Sequence, residues 1–203
     1  TLETLLRDQR NFGKSQLFER VLKIFRTSCQ QQKELVDDLL TICYVDERSK
    51  ALQPEWIDLN FWLTDLTQLY WERIQNQHQE FILDLSEGEL DIFIDPTVLE
   101  RIVRELLNNA CKYTPANGVI KIKTQATELV RSLCITNTGA RISPTQQSLI
   151  FNQFYRIPEN DPWQYGGTGL GLTLVKKLVE ILKIEIDVES REEETSFCLR
   201  LPL

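Results

Sequence analysis

Apolar residues in the first 47 positions recur mostly every three or four residues, which is the spacing of one face of a helix. The pattern predicts a long helix over residues 15–46, with Ser15 as its cap. Two apolar rows lie side by side along it, so this helix has to pack against others. Residues 1–7 are typical of the end of a preceding helix, and residues 8–14 of a loop. We therefore predict a helical hairpin over residues 1–50, of a kind that often dimerises into a four-helix bundle; the alternative is an ordinary internal helix pair.

The pattern changes after Glu47, where short apolar runs begin to alternate with helices. The runs EFILDL and LDIFID, separated by SEGE, are expected to pair as a hairpin. We further predict helices over residues 59–77 and 96–113, and a third helix directly after a glycine run at 166–171. A helical turn is expected over residues 143–154. The expected strands are 118–125, 129–137, 184–190 and 195–203. Residues 51–203 are therefore expected to form an α+β domain, a mixed-sheet α/β sandwich with its helices on one face.

Composition narrows the possible partners. The net charge of −7 disfavours nucleic acid as the main partner, because phosphate backbones are bound by clustered lysines and arginines. There is no apolar run of about 18 residues, so we expect no membrane contact by this chain. It has no methionine and starts within a helical pattern, which suggests a fragment of a longer protein. None of the five cysteines forms a CxxC pair, and we expect buried, reduced thiols in a cytoplasmic protein.

The predicted helix over residues 96–113 carries a set of polar residues that suits a charged ligand. Glu105, Asn109 and Lys112 are spaced four and three residues apart, so they share one face of the helix. A carboxylate oxygen and an amide oxygen can bind one Mg²⁺ ion, and a lysine one turn further on can meet phosphate oxygens. Ordinary solvent-exposed polar residues would have the same spacing, so this pattern alone leaves both interpretations open.

The glycine run GGTGLGL, at residues 166–172, strengthens the ligand interpretation. Backbone N–H groups at the start of a helix point outward together and favour an anion, and glycine allows that anion to come close. We expect a polyphosphate to lie there. The spacing matches neither GxxxxGK[ST] nor the opening of a dinucleotide-binding fold.

Four segments together resemble the motifs of sensor histidine kinases, in that family's order along the chain. ELLNNACKYTP (105–115) resembles its N box, NTGARI (137–142) its G1 box, FNQFYR (151–156) its F box and GGTGLGL its G2 box. The hairpin also resembles the family's dimerisation helices, so the resemblance covers essentially the whole chain. It implies a Bergerat-type ATP-binding fold, ATP and Mg²⁺ as cofactors, a homodimer through the hairpin, and transfer of phosphate from ATP to a histidine and then to a response regulator receiver domain.

The resemblance also implies roles for individual residues. Asn109 would bind Mg²⁺, Glu105 would assist the metal or its water, and Tyr113 would lie beside adenine. Lys112 and Arg156 would reach the phosphates, and with Glu105 they form the expected catalytic set. The remaining residues expected to bind ATP are Asn137, Gly139 and Ile142 of the G1 box and Gly167, Thr168, Gly169, Leu170, Gly171 and Leu172 of the G2 box, with residues 157–166 as the lid over ATP.

The chain departs from the family pattern in three places. Asn137 replaces the usual G1-box aspartate, and Arg141 replaces its second glycine. The family's H box is absent, and the only histidine, His78, lies outside any such context, so we expect a surface residue there and the phosphate acceptor upstream of Thr1. The alternative function is therefore a degenerate nucleotide-binding scaffold or switch without kinase activity.

Overall fold

A computed structural model describes residues 14–43, 52–127, 130–139, 141–157 and 168–202. The helix α1 spans Lys14–Cys43, as the apolar spacing predicts. Ser15 lies within this helix, so its predicted role as the cap is wrong. The first arm of the predicted hairpin and its loop, at residues 1–13, lie outside the described residues, as does the predicted end of the helix at Asp46.

Twelve further elements follow in the described residues. The helices are α2 (Leu59–Gln68), α3 (Trp71–Asn76), α4 (Pro96–Tyr113), α5 (Pro144–Gln147) and α6 (Gly171–Leu182). The strands are β1 (Glu55–Asp58), β2 (Glu80–Asp84), β3 (Asp91–Ile94), β4 (Val119–Ala126), β5 (Arg131–Thr138), β6 (Glu185–Arg191) and β7 (Glu194–Leu201). Helix α4 has the bounds that the sequence predicts, and both ends of each strand from β4 to β7 lie within two residues of the predicted ends.

The main sheet has five strands in the order β2-β4-β5-β7-β6, and β1 pairs with β3 in a separate two-stranded sheet. Strand β2 is parallel to β4, while the other neighbours in the main sheet are antiparallel. The sheet is therefore mixed, as predicted. Alternate residues of β4, β5 and β7 are buried beneath α4 and α6, which places the helices on one face.

The apolar stripes of α4 and α6 supply much of the core. The fully buried side chains of α4 include Leu99, Ile102, Leu106 and Leu107, and they lie with Ile120, Ile122, Leu133 and Ile135 of the sheet in one cluster. Leu174, Val175 and Leu178 of α6 belong to the same cluster. Helices α4 and α6 also pack against each other, so residues of the two helices can meet at one site.

Two local predictions are wrong. The helix predicted over residues 59–77 is interrupted after Gln68, where the Tyr70 N–H donates to Thr67 O at 3.0 Å, a tighter spacing than that of an α-helix. The predicted hairpin does not form, because β2 joins β4 and β3 joins β1. The intervening loop is held by Asn60, whose Nδ2 donates to the carbonyls of Ser86 and Gly88 at 3.0 Å.

Two cysteines form a disulfide, which corrects the expectation of reduced thiols. Cys134 of β5 and Cys198 of β7 lie directly opposite each other, with Cα atoms 4.1 Å apart. Their separation of 64 residues hides this proximity in the sequence, since only the register of the two strands brings them together. Cys111 is a buried free thiol, as expected, whereas the free thiol of Cys29 is exposed.

Across the described segments, every helix is either too short or too polar to cross a lipid bilayer.

Candidate nucleotide site

Helix α4 presents the predicted polar face because both of its ends are fixed. The Asp95 carboxylate accepts hydrogen bonds from the N–H groups of Thr97 and Val98 at 3.0 and 3.2 Å, which caps the helix as the sequence predicts. The buried stripe then turns Glu105, Asn109 and Lys112 toward the rim of the domain, where all three are partly buried. These three residues therefore share one face of a rigid helix.

The first residue of α6 lies against Glu105. A Cβ atom built on Gly171 would come 2.7 Å from Glu105 Oε2, so only glycine fits there without moving the carboxylate. The other oxygen, Oε1, lies 3.2 Å from Nη2 of Arg101, and the Glu105 side chain is only 15% exposed. The two helices that carry the N-box and G2-box motifs thus meet at this carboxylate.

The G2 loop is also joined to the F box. The Phe154 N–H donates to the carbonyl of Gly169 at 3.1 Å. Gly169 has a φ of +74°, and a Cβ there would come 2.8 Å from the carbonyl carbon of Phe154. Phe154 is itself left-handed, with a φ of 61°. Gly169 is therefore required by its own backbone conformation and by the approach of another backbone segment.

The G1 box lies against the C-terminal end of α4. Gly139 has a φ of +110°, and a Cβ there would overlap Pro115 and come 3.2 Å from Tyr113 O. The Gly139 N–H donates to Glu193 O at 2.6 Å, and the Ile142 N–H donates to Ser190 Oγ at 2.9 Å. The end of β6 and the turn between β6 and β7 therefore support the G1 box through these two hydrogen bonds.

Asn137 is the next-to-last residue of β5 and is 5% exposed. Its side chain is on the buried face of β5 with Leu133 and Ile135, and its Nδ2 donates to Thr138 O at 3.3 Å. Its carbonyl oxygen is therefore directed away from that contact and can accept a hydrogen bond from another group. Arg141, the other departure in this motif, is exposed.

The start of α6 differs from the starts of α2 and α4. Asp58 and Asp95 cap those two helices with their carboxylates, whereas Leu170 occupies the N-cap position of α6 and has no side-chain acceptor. N–H groups in the first turn of a helix have no partner within the helix itself. Together with the helix dipole, this leaves an N-terminus that favours a bound anion.

The two basic residues predicted to meet phosphate differ in how they are placed. The Lys112 ammonium lies 4.7 Å from the centre of the Tyr113 ring, and in the described part of the chain it forms no ion pair. The Asn109 side chain likewise has no hydrogen bond to a described residue. Arg156 is partly buried and follows the F-box turn that holds Gly169.

The structure describes some of the other residues predicted at the site, but others lie outside the described residues. Leu170 is fully buried, Leu172 is partly buried, and Thr168 Oγ1 accepts a hydrogen bond from the Leu170 N–H at 3.3 Å. Gly167, and all of the predicted lid except Ile157, lie outside the described residues. His78 lies in an exposed turn with a φ of 54°, as expected for a surface residue.

Sequence reasoning missed three residues that support the site. Arg101 could have been found, because it precedes Glu105 by four residues on a predicted helix and carries the opposite charge. Ser190 and Glu193 could not, because only the pairing of β6 with β7 brings them to the G1 box.

Comparison with known proteins places this site in a family. Residues 94–203 match the family described as histidine kinase-, DNA gyrase B- and HSP90-like ATPases. The chain belongs to this ATPase family. The matched range contains α4, the G1 turn, the F box and α6, so it includes every residue of the site described above.

Proteins similar to this chain include sensor histidine kinases. The chain is 32% identical over 171 residues to the sensor histidine kinase RppB of a Synechocystis species, and this covers 84% of the chain but only 38% of RppB. The catalytic domain of histidine kinase ThkA superposes with a TM-score of 0.66 at 25% identity, covering 74% of this chain and 96% of that domain. A structure of ThkA in complex with the response regulator protein TrrA matches with a TM-score of 0.73 at 23% identity, covering 91% of this chain and 51% of that one, and shows a shared fold.

Proposed function

We propose that residues 51–203 are the ATP-binding catalytic domain of a sensor histidine kinase and that residues 1–50 are part of its dimerisation hairpin. In this proposal the domain binds Mg-ATP and donates the γ-phosphate to a histidine upstream of Thr1. The observation that carries the proposal is the contact between Gly171 and Glu105, which joins the glycine-led helix to the polar face of α4.

The donor set fits Mg²⁺ bound to a nucleotide. Glu105 and Asn109 offer a carboxylate and an amide oxygen one helical turn apart, and hard oxygen ligands of this kind suit Mg²⁺. Bound magnesium would offset the negative charge of the phosphates. Glu105 and Asn109 would hold the ion, and Asn137, Gly139, Ile142 and Tyr113 would surround the base.

The remaining residues would hold and orient the triphosphate. The uncapped N–H groups of α6 would bind phosphate oxygens, in the loop that contains Gly167, Thr168, Gly169, Leu170, Gly171 and Leu172. Lys112 and Arg156 would add positive charge where negative charge develops during transfer. Phosphoryl transfer depends mainly on the positioning of the reacting groups and on charge, and these residues would supply both.

The proposal includes two protein partners. A response regulator receiver domain would accept the phosphate from the histidine, and a second copy of the chain would pack against α1. Exposed apolar side chains on α1, including Phe18, Ile24, Phe25 and Val36, support this second contact. The proposal also locates the site in the cytoplasm and includes no nucleic acid among the partners.

A second candidate function is a nucleotide-binding scaffold or switch without kinase activity. Asn137 favours it, because a neutral amide replaces the carboxylate expected at a buried position next to the base. Adding labelled ATP to a version of the chain extended upstream through the acceptor histidine separates the two. Acid-labile phosphate on that histidine supports the kinase, and nucleotide binding without label supports the scaffold.

The nucleotide site itself is tested by Asn109→Ala. We expect calorimetry with Mg²⁺ and a non-hydrolysable ATP analogue to show binding by the wild-type chain and a loss of at least about tenfold in affinity for the variant. Asn108→Ala is the matched control, because Asn108 is the neighbouring residue but is exposed and bonded to Arg73 at 2.9 Å. Equal affinity of the Asn109→Ala variant and the wild type would remove Asn109 from the site.

A further inference from the structure

Helix α4 carries two ion pairs with the same residue types and the same spacing. Arg104 Nε lies 2.6 Å from Glu100 Oε1, and Arg101 Nη2 lies 3.2 Å from Glu105 Oε1. The two arginine side chains are similarly exposed, at 36% and 40%. The pairs are thus alike in chemistry, and they differ in what surrounds them.

The difference lies in the two glutamates. The Glu100 side chain is 39% exposed and lies with Arg104 along a groove beside Trp62 and Leu66 of α2. The Glu105 side chain is only 15% exposed, and its Oε2 lies against the backbone of Gly171. The first pair therefore faces α2, and the second faces the start of α6.

The two oxygens of Glu105 are held from different directions. Gly171 limits movement of Oε2 toward α6, and the Arg101 guanidinium attracts Oε1. A carboxylate that is in contact with backbone atoms on one side and paired with a hydrogen-bonding cation on the other has fewer accessible rotamers than an exposed carboxylate. The orientation of Glu105 relative to Asn109, one turn further along, is thereby restricted.

We propose that Arg101 is a positioning residue, which fixes the orientation of Glu105 for a divalent cation at the nucleotide site. This inference depends on the proposed function, because it concerns the same cation. Arg101 does not bind the cation; it acts through the carboxylate that it holds. Groups that orient metal ligands in this way typically change metal affinity by about 10- to 100-fold when they are removed.

The test compares Arg101→Gln with Arg104→Gln in the full 203-residue chain. Each substitution removes a similarly exposed arginine from the same helix, and thermal unfolding measures how much each one changes the stability of the fold, so that a loss of folding is separated from a loss of Mg²⁺ affinity. The measurement is the Mg²⁺ concentration at which binding of a non-hydrolysable ATP analogue is half-maximal. We expect Arg101→Gln to raise this concentration about tenfold, and Arg104→Gln to leave it within about twofold of the wild type.

A third variant separates positioning from a loss of charge. Arg101→Lys keeps the cation but not the planar fork, and we expect it to restore most of the Mg²⁺ dependence. The inference is overturned if Arg101→Gln matches Arg104→Gln, or if it lowers the Mg²⁺ requirement because the carboxylate then binds the cation more tightly. Absence of analogue binding by the wild-type chain at any Mg²⁺ concentration would overturn the proposed function itself. Binding by the wild type that does not depend on Mg²⁺ would overturn the positioning role alone.

Discussion

Helices α1 and α4 have similar amphipathic sequences but very different surroundings. Every apolar residue of the α4 stripe from Leu99 to Cys111 is at least 98% buried, whereas Phe18, Ile24, Phe25 and Val36 of α1 are each more than half exposed. An apolar row is stable on a helix only when something covers it. The sequence pattern therefore predicts a need for burial in both helices, and the described fold meets that need fully for α4 and only in part for α1, which contacts α6 but keeps these four side chains exposed.

The largest expected effect comes from removing a buried side chain of α4. Leu107→Ala should lower the free energy of unfolding by about 2–5 kcal/mol, because Leu107 is fully buried and the cavity cannot close completely. Phe25→Ala on α1 should change it by less than about 0.5 kcal/mol in the monomer. Urea denaturation, at a dilution where sedimentation shows a monomer, measures both changes. Equal losses would mean that α1 is covered within one chain.

An intermediate effect is expected on association. Phe25→Asp should weaken self-association at least about tenfold, because a carboxylate buried in a helix-to-helix interface loses its hydration. Phe61→Asp is the control, since Phe61 is 76% exposed on α2 and lies outside the proposed interface. Sedimentation velocity over a range of concentrations measures the dissociation constant. A wild-type chain that stays monomeric at high concentration would contradict the association through α1.

The smallest effect concerns one thiol on each helix. Burial raises the pKa of the Cys111 thiol, and nearby Arg73 offsets this only in part. The folded chain should therefore keep the Cys111 proton to a higher pH than the unfolded chain does. The buried, protonated thiol therefore contributes to the stability of the fold. This contribution is complete below the ordinary thiol pKa of about 8.5 and is lost as the pH rises through the raised pKa.

Alkylation followed by mass spectrometry checks this difference. At pH 8 we expect iodoacetamide to modify Cys29, which is exposed, well before Cys111, which is 1% exposed. Both should react equally in urea. Rapid modification of Cys111 in the folded chain would show that α4 opens locally, and the contrast between the two helices would then be smaller than the structure indicates.

The glycines illustrate how far a motif can be interpreted from sequence. The run between residues 166 and 171 predicts a close approach by some group, and its position before a helix favours a polyphosphate. At Gly171 the approaching group is the Glu105 carboxylate, and at Gly169 it is the backbone of Phe154. A Gly169→Val variant would therefore strain the fold and would not isolate an effect on phosphate binding. The glycines predict that some group comes close to the backbone, but the sequence does not identify that group.

Local sequence patterns are enough to predict the features that depend on neighbouring residues. The bounds of α4, its Asp95 cap, the shared face of Glu105, Asn109 and Lys112, and the motifs that mark the ATPase family all follow from spacings of a few residues. These features rest on local geometry, which a helix fixes without reference to the rest of the chain.

Features that join distant segments depend instead on the packing of the folded domain. The partners of β2 and β3, the disulfide between Cys134 and Cys198, and the meeting of Glu105 with Gly171 each depend on strand order or helix packing. Any of several pairings would bury the same apolar faces, so the hydrophobic pattern cannot choose among them. The packing of the whole domain makes that choice, and it therefore also determines which backbone and side-chain atoms meet at the candidate nucleotide site.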